Sequence, residues 1–80
     1  MPDEVTVIRI GTRIESNGGT VLACKPGSYP NTTIVLCHLP TNNVTPFVIH
    51  TYMEENGSCS QGDYEFTIRD AVERYDARGY

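Results

Sequence analysis

Residues 47–67 read FVIHTYMEENGSCSQGDYEFT, and this stretch decides the fold. The apolar run over 47–53 is typical of a strand, and the alternating run over 60–67 is typical of its partner. Between them, Asn56-Gly57 is a strong hairpin signal because both residues tolerate the positive φ angles of a type I′ turn. We therefore predict an antiparallel hairpin with Asn56 and Gly57 at the centre of its turn, a longer loop being the alternative.

The register of this hairpin follows from the turn. A turn with two central residues gathers aromatic and aliphatic side chains on one face, whereas a slip by one residue scatters them. The opposed residues are then Phe47 with Phe66 and Ile49 with Tyr64 on that face, and Val48 with Glu65 and His50 with Asp63 on the other.

The segments before this hairpin also carry strand and turn signals. The run TIVLCHL at 33–39 is apolar at nearly every position, as expected of a central strand covered on both faces. Asn17-Gly18-Gly19 predicts another hairpin, and the turn residues of 26–31 predict the longest irregular stretch. Residues 4–15 alternate in two short registers, which indicates a bulge or twist in one long strand, a change that Gly11 could also accommodate. The predicted strands cover about 4–15, 20–24, 33–39, 47–53 and 60–67.

After the hairpin, residues 68–78 carry the period of an amphipathic helix. Thr67 and Asp70 have the spacing of a capping box, and Gly79 is a natural stop. A helix this short is marginal alone, so it must pack on the sheet. The residues predicted to share the packed face are Ile68, Ala71, Val72 and Tyr75. The sequence predicts an α+β fold for a single domain, 1–80: a four- to five-stranded antiparallel sheet with one C-terminal helix packed on one face.

The charge is unevenly distributed along the chain. There are 6 lysines and arginines against 10 aspartates and glutamates, for a formal net charge of −4, and the acidic excess lies after Met53. Phosphate affinity comes from clustered lysines and arginines, so direct nucleic-acid binding is not expected. An acidic lobe steers a protein towards a basic partner, and a solvated face that maintains solubility is the alternative.

Few residues offer nucleophilic or general-base chemistry. Cys37 and His38 are neighbours in a predicted strand and point to opposite faces, so they do not form a catalytic pair. His50 opposite Asp63 is the more interesting pair, although a surface ion pair is its simpler interpretation. The three cysteines and two histidines lack the close paired spacing of a zinc site. We expect no catalytic residue, no metal and no cofactor.

The aromatic residues divide into two groups. Exposed tyrosines beside carboxylates are typical of protein-recognition surfaces, because the ring buries area while the hydroxyl keeps a polar partner. The group expected in the core between helix and sheet is Phe47, Tyr64, Phe66 and Tyr75. The group without an evident internal role is Tyr29, Tyr52 and Tyr80.

The sequence also bears on the compartment. No stretch approaches the length of a membrane-spanning helix, and the start MPDE lacks the basic residues of a signal peptide. We therefore expect a cytoplasmic protein without membrane contact, whose cysteines are reduced.

Four segments in the second half of the chain match a pattern of short proteins: FVIHTY at 47–52, GDYEFT at 62–67, DAVERY at 70–75 and RG at 78–79. Together they resemble short phage and mobile-element proteins in which a strand ending Gly-x-Tyr-x-Phe leads into a helix with a small residue, an aromatic residue and an arginine. The resemblance implies an accessory protein acting in the host cytoplasm. Characterised examples include inhibitors of bacterial defence systems, such as anti-CRISPR proteins.

These observations lead to one function hypothesis and two alternatives. We expect a small acidic, non-enzymatic module, monomeric or homodimeric, that occupies the basic surface of a larger protein or of a nucleoprotein defence complex. The alternatives are a small enzyme or ligand-binding protein using Cys37, His50 and Asp63, and a self-assembling phage structural component. The residues predicted to bind the partner are Glu54, Glu55, Asp63, Glu65, Asp70, Glu73, Asp76, Tyr29 and Tyr52.

Overall fold

A computed structural model describes residues 8–78 of the chain, with the backbone alone at Gln61. It contains one antiparallel sheet whose strands lie side by side in chain order, and a C-terminal helix packed on one face of that sheet. This confirms the predicted α+β architecture. The elements are β1 (Arg13–Ile14), β2 (Gly19–Pro26), β3 (Thr32–His38), β4 (Phe47–Met53), β5 (Ser58–Glu65) and α1 (Ile68–Ala77).

β3 is the middle strand, as its continuous apolar run predicts. Its four central residues are all buried because the sheet is covered on both faces. Ile34 and Leu36 contribute to the core beneath α1, and Val35 and Cys37 to the core on the opposite face. The strand therefore divides the hydrophobic interior into two layers.

α1 begins as predicted, because Thr67 Oγ1 accepts a hydrogen bond of 3.1 Å from the backbone N–H of Asp70. The face it presents to the sheet differs from the prediction. Ala71 is fully buried and Tyr75 is partly buried, but Ile68 and Val72 remain 47% and 41% exposed. The contact stripe is therefore rotated about the helix axis, and the small Ala71 side chain forms its centre.

The face opposite α1 is closed by the first hairpin. Ile14 and Val21 join the buried cluster on this face, together with Tyr52. Ser16 Oγ donates a 2.9 Å hydrogen bond to the carbonyl oxygen of Gly57, so the turn over 15–18 contacts the turn over 54–57. The two turns hold the curled sheet closed at one end.

The first strand is much shorter than predicted. Positions 4–7 of the expected strand over 4–15 lie outside the described residues, and the rest contains a turn at Ile10-Gly11 before the two-residue β1. Gly11 has a φ of 92°, and the N–H of Thr12 donates to the carbonyl of Arg9 at 3.0 Å. The change of alternation coincides with a bulge at this turn. Gly11 N–H donates to the carbonyl of Val21 at 2.7 Å and Val21 N–H donates to the carbonyl of Thr12 at 2.8 Å, so two residues oppose one.

The predicted register of the second hairpin is wrong. Its turn has four residues, 54–57, closed by a 2.8 Å hydrogen bond from Gly57 N–H to the carbonyl of Met53, and the pairing shifts again opposite His50. Both changes displace the partners assigned by a two-residue turn. The observed pairs at the far end of the strands are Phe47 with Glu65, Val48 with Tyr64 and Ile49 with Asp63.

The expected aromatic patch between the helix and the sheet consequently does not form. Tyr64 lies on the side of the sheet away from α1, where its ring meets that of His50 edge to face at 6.0 Å. Phe66 follows the end of β5 and is 66% exposed. Of the four aromatic residues expected in this core, Phe47 and Tyr75 contact it.

Candidate functional site

The thiol and imidazole groups are not arranged for catalysis in the part of the chain that the structure describes. Cys37 is fully buried, and burial raises the pKa of its thiol to about 11, so the nucleophilic thiolate is suppressed. His38 lies on the other side of β3 and contacts the ring of Phe47 at 5.6 Å. Neither imidazole has a hydrogen bond to a thiol among residues 8–78.

His50 occupies an unexpected environment. Its side chain is buried, and neither ring nitrogen has a hydrogen-bond partner. Burial lowers the pKa of His50, Arg78 adds to this decrease, and Asp63 opposes it. The imidazole is therefore neutral at pH 7, and the predicted surface ion pair with Asp63 is wrong.

Asp63 is instead the partner of a buried arginine at the end of the helix. Arg78 Nη1 donates to Asp63 Oδ2 at 3.1 Å and to the carbonyl of Ile49 at 2.9 Å, and Nη2 donates to Thr51 Oγ1 at 2.9 Å. This guanidinium fastens the C-terminal end of α1 to β4 and β5. Asp63 is thus committed to the fold, although it was predicted to bind a partner.

The other acidic residues predicted to bind a partner differ in whether their carboxylates make hydrogen bonds or ion pairs within the protein. Glu65 pairs with Arg74 on α1 at 3.3 Å, and Glu54 accepts a 2.6 Å hydrogen bond from Thr33 Oγ1. Glu55 accepts a long 3.4 Å bond from Asn31 in the neighbouring turn. Among the acidic residues predicted to bind a partner, those whose carboxylates make no hydrogen bond or ion pair within residues 8–78 are Asp70, Glu73 and Asp76, all exposed on α1.

The two tyrosines assigned to partner recognition have opposite environments. Tyr29 is exposed in the turn that precedes β3. Tyr52 is only 6% exposed and belongs to the core beneath the first hairpin, so its predicted availability to a partner is wrong. Its side chain fills the end of the sheet where the two turns meet.

Three exposed apolar residues accompany the free carboxylates of α1. Phe66 lies just before the helix, and Ile68 and Val72 lie one turn apart along its flank. A helix places residues four apart on one line, so Ile68, Val72 and Asp76 follow one another along this flank. We call Phe66, Ile68, Asp70, Val72, Glu73 and Asp76 together the helix surface.

Sequence reasoning missed the apolar part of the helix surface, because it assigned these side chains to the core. The signal that distinguishes them is the alternative stripe Ala71, Tyr75 and Arg78, which has the same helical spacing. A stripe ending in an arginine is not an evident packing face. This stripe packs on the sheet because the carbonyl of Ile49, Thr51 Oγ1 and Asp63 accept hydrogen bonds from the arginine.

A second group of exposed or half-buried residues lies at the end of the sheet. The N–H of Glu54 donates to the carbonyl of Asn31 at 2.9 Å, and Thr32 Oγ1 donates to the carbonyl of Tyr29 at 2.6 Å. The first bond joins the turn before β3 to the turn after β4, and the second lies within the turn before β3. We call Tyr29, Glu54 and Glu55 the turn surface.

The surface also contains shallow recesses. One of about 270 Å³ lies between β5 and α1 and is lined by Glu65, Asp70, Glu73, Arg74 and Ala77. Its walls are carboxylates around one arginine, so it fits a basic side chain better than an acidic one. A second recess of about 460 Å³ lies at the end of the sheet where the turn over 15–18 contacts the turn over 54–57.

Within residues 8–78, no three histidine, cysteine, aspartate or glutamate side chains are placed to hold a metal ion. The described chain also contains no helix with the length and apolarity needed to cross a membrane. Comparison of the chain with families of known proteins, with curated proteins and with solved structures found no match.

Proposed function

We propose that this protein is a non-enzymatic binding module that uses the helix surface to occupy a basic region of a larger partner. The observation that carries the proposal is the position of exposed Ile68 and Val72 beside the carboxylate of Asp76 on one ten-residue helix. Interfaces combine apolar side chains that lose water with charged groups that orient the partner. The helix surface supplies both.

The other acidic residues on this side are already paired within the protein, which limits the carboxylates that a partner can contact. Asp63 already pairs with Arg78 and Glu65 with Arg74, so the negative charge available to a partner on this side comes from the carboxylates of the helix. Asp76 is close to the C-terminal end of α1, where a negative charge is unfavourable for the helix dipole. A carboxylate kept there without a stabilising role is consistent with a role in binding.

A partner with lysines or arginines around an apolar patch fits this surface better than a second copy of the chain does. A two-fold contact between two helix surfaces would bring each group of carboxylates close to its own copy. Like charges brought together across an interface cost free energy. We therefore favour a heterologous partner over self-assembly.

The resemblance of the C-terminal half to phage and mobile-element proteins directs the choice of partner. We include in the proposal that the chain is a phage-encoded inhibitor acting in the host cytoplasm on a CRISPR-type nucleoprotein complex. Such complexes hold phosphate with lysine and arginine clusters. Carboxylates of the helix surface would compete for those cations and displace nucleic acid.

The test compares two variants with equal loss of charge. Glu73→Gln with Asp76→Asn neutralises the helix surface, and Glu15→Gln with Glu55→Gln neutralises two exposed carboxylates in the turns. Each protein is immobilised, incubated with bacterial lysate at several salt concentrations, and the captured proteins are identified by mass spectrometry. Binding of the purified partner is then measured by calorimetry.

We expect the helix variant to weaken partner binding by about tenfold or more at low salt and the turn variant to leave it nearly unchanged. Val72→Ser should weaken binding at every salt concentration, because loss of an apolar contact is not screened. Equal affinity of all three variants and the wild type would refute the role of the helix surface. A larger loss in the turn variant would assign binding to the turns that carry Glu15 and Glu55 instead.

A further inference from the structure

The two turns that contact each other share an Asn-Gly step, the φ angle of its glycine and the same pattern of hydrogen bonds. Each contains Asn-Gly, with a φ of 73° at Gly18 and 74° at Gly57. In each, the glycine N–H donates at 2.8 Å to the carbonyl four residues earlier. The asparagine Oδ1 accepts from the backbone N–H two residues later, at 2.7 Å for Asn17 and 3.0 Å for Asn56.

The two asparagines differ in their exposure to water. Asn17 is partly buried, and its amide nitrogen Nδ2 is enclosed without a hydrogen-bond partner. Asn56 is exposed, and its Oδ1 accepts a second bond of 2.7 Å from Ser58 Oγ. Because the backbones match, any difference in reactivity between the two sites must come from their surroundings.

We propose that Asn56 is a site of spontaneous deamidation and isomerisation in the folded protein, and that Asn17 is protected from the same reaction. The backbone nitrogen of Gly57 forms a bond to Cγ of Asn56, the bond from Cγ to Nδ2 breaks, and the amide leaves as ammonia with the proton from Gly57. The cyclic imide then takes up one water. Cleavage of the bond from the Gly57 nitrogen to Cγ yields aspartate, and cleavage of its bond to the main-chain carbonyl carbon of residue 56 yields isoaspartate.

Three features of the turn favour this reaction at Asn56. Gly57 has no side chain to obstruct the attack of its nitrogen, once its N–H has released the 2.8 Å hydrogen bond to the carbonyl of Met53 in the exposed turn. The two hydrogen bonds from Ser58 to Oδ1 polarise the carbonyl that is attacked and stabilise negative charge on its oxygen. Exposure gives water access to the imide and lets ammonia leave. At Asn17 the enclosed amide requires local opening of the hairpin before the same steps can occur.

The product would alter the contact that holds the sheet closed. Aspartate retains the side-chain oxygens that accept from Ser58, and it adds a charge beside Glu54 and Glu55. Isoaspartate inserts one carbon into the backbone before Gly57, which displaces the carbonyl that accepts from Ser16. The isomerised chain should therefore lose the bond between the two turns.

The experiment follows both asparagines in one sample. The full chain is incubated at mildly alkaline pH, folded in buffer and unfolded in urea, and peptide mapping by mass spectrometry quantifies conversion at each site. We expect Asn56 to convert at least about tenfold faster than Asn17 in the folded protein, and both to convert at similar rates when unfolded. Similar rates in the folded protein would overturn the proposal, as would persistence of Asn56 over a period that converts it in urea.

The consequence is tested with a matched variant. Asn56→Asp carries the charge of the product without the extra backbone carbon, so it should melt close to the wild type. The isoaspartate fraction, separated by ion exchange, should melt at a lower temperature than Asn56→Asp. Ser16→Ala should reduce that difference, because it removes the same hydrogen bond in advance. Equal melting temperatures of the isoaspartate fraction and Asn56→Asp would contradict the proposed effect on the contact.

Discussion

Replacement of Arg78 by methionine tests whether a buried guanidinium holds α1 to the sheet. The change keeps the apolar part of the side chain and removes bonds to the carbonyl of Ile49, to Thr51 Oγ1 and to Asp63. Breaking a buried ion pair from one side costs about 3 to 5 kcal/mol. Asp63 is 37% exposed and can regain water, so we expect the lower limit, about 3 kcal/mol.

A loss of this size is a large part of the stability of a small domain, which is about 5–15 kcal/mol. In a chain of this length it corresponds to a decrease in melting temperature of more than about 10 °C. The assay is urea unfolding followed by circular dichroism, with the slope of the transition checked for equality between variants.

The matched control is Arg74→Met. Arg74 also lies on α1 and also pairs with a carboxylate of β5, at 3.3 Å, but its side chain is 57% exposed against 2% for Arg78. An exposed pair contributes less than about 1 kcal/mol. If Arg78→Met costs no more than Arg74→Met, the buried guanidinium does not anchor the helix and the reasoning is wrong.

Three further predictions concern the environments of His50, Gly62 and Cys37. Burial lowers the pKa of His50 below its ordinary value of 6.5, so the unfolded chain binds a proton at this residue more readily than the folded protein does. The free energy of unfolding should therefore be retained above about pH 6.5 and decline below it. The urea midpoint of His50→Leu should vary less with pH over this range than that of the wild type. Gly62→Ala should destabilise the protein by about 1–3 kcal/mol in urea unfolding, because the added Cβ would lie 2.6 Å from His50 Cε1, and His50→Ala in the same chain should recover part of this loss. Cys37, whose thiol pKa is raised to about 11, should react with iodoacetamide in the folded protein at least about tenfold more slowly than in the unfolded chain, whereas equal rates would show an accessible thiol.

Local signals in the sequence predict most elements of the fold. The central position of β3 follows from its unbroken apolar run, the first hairpin from Asn17-Gly18, and the start of α1 from Thr67. Each of these depends on a few adjacent residues or on burial of a whole strand. They agree with the structure because no distant contact opposes them.

The candidate site is predicted only in part. The acidic character after Met53 is evident from composition, and Asp70, Glu73 and Asp76 are exposed as expected. The engagement of Asp63 by Arg78 could not be foreseen, because it depends on the register of β5 and on the rotation of α1. The turn is two residues longer than predicted, and the register shift opposite His50 reverses one of those two steps. The net displacement moves Asp63 from opposite His50 to opposite Ile49.

By itself, therefore, the sequence determined the order of strands and helix, the two Asn-Gly turns and the acidic excess of the second half of the chain. Only the tertiary structure decided which side chains are buried and which are exposed: Tyr52 and Arg78 are buried in contacts within the protein, whereas Ile68 and Val72 stay on the surface. The physical reason is geometric, because strand alternation and helical period define sets of faces. Which face is buried depends on loop length, on one bulge and on how closely the small Ala71 lets the helix approach the sheet.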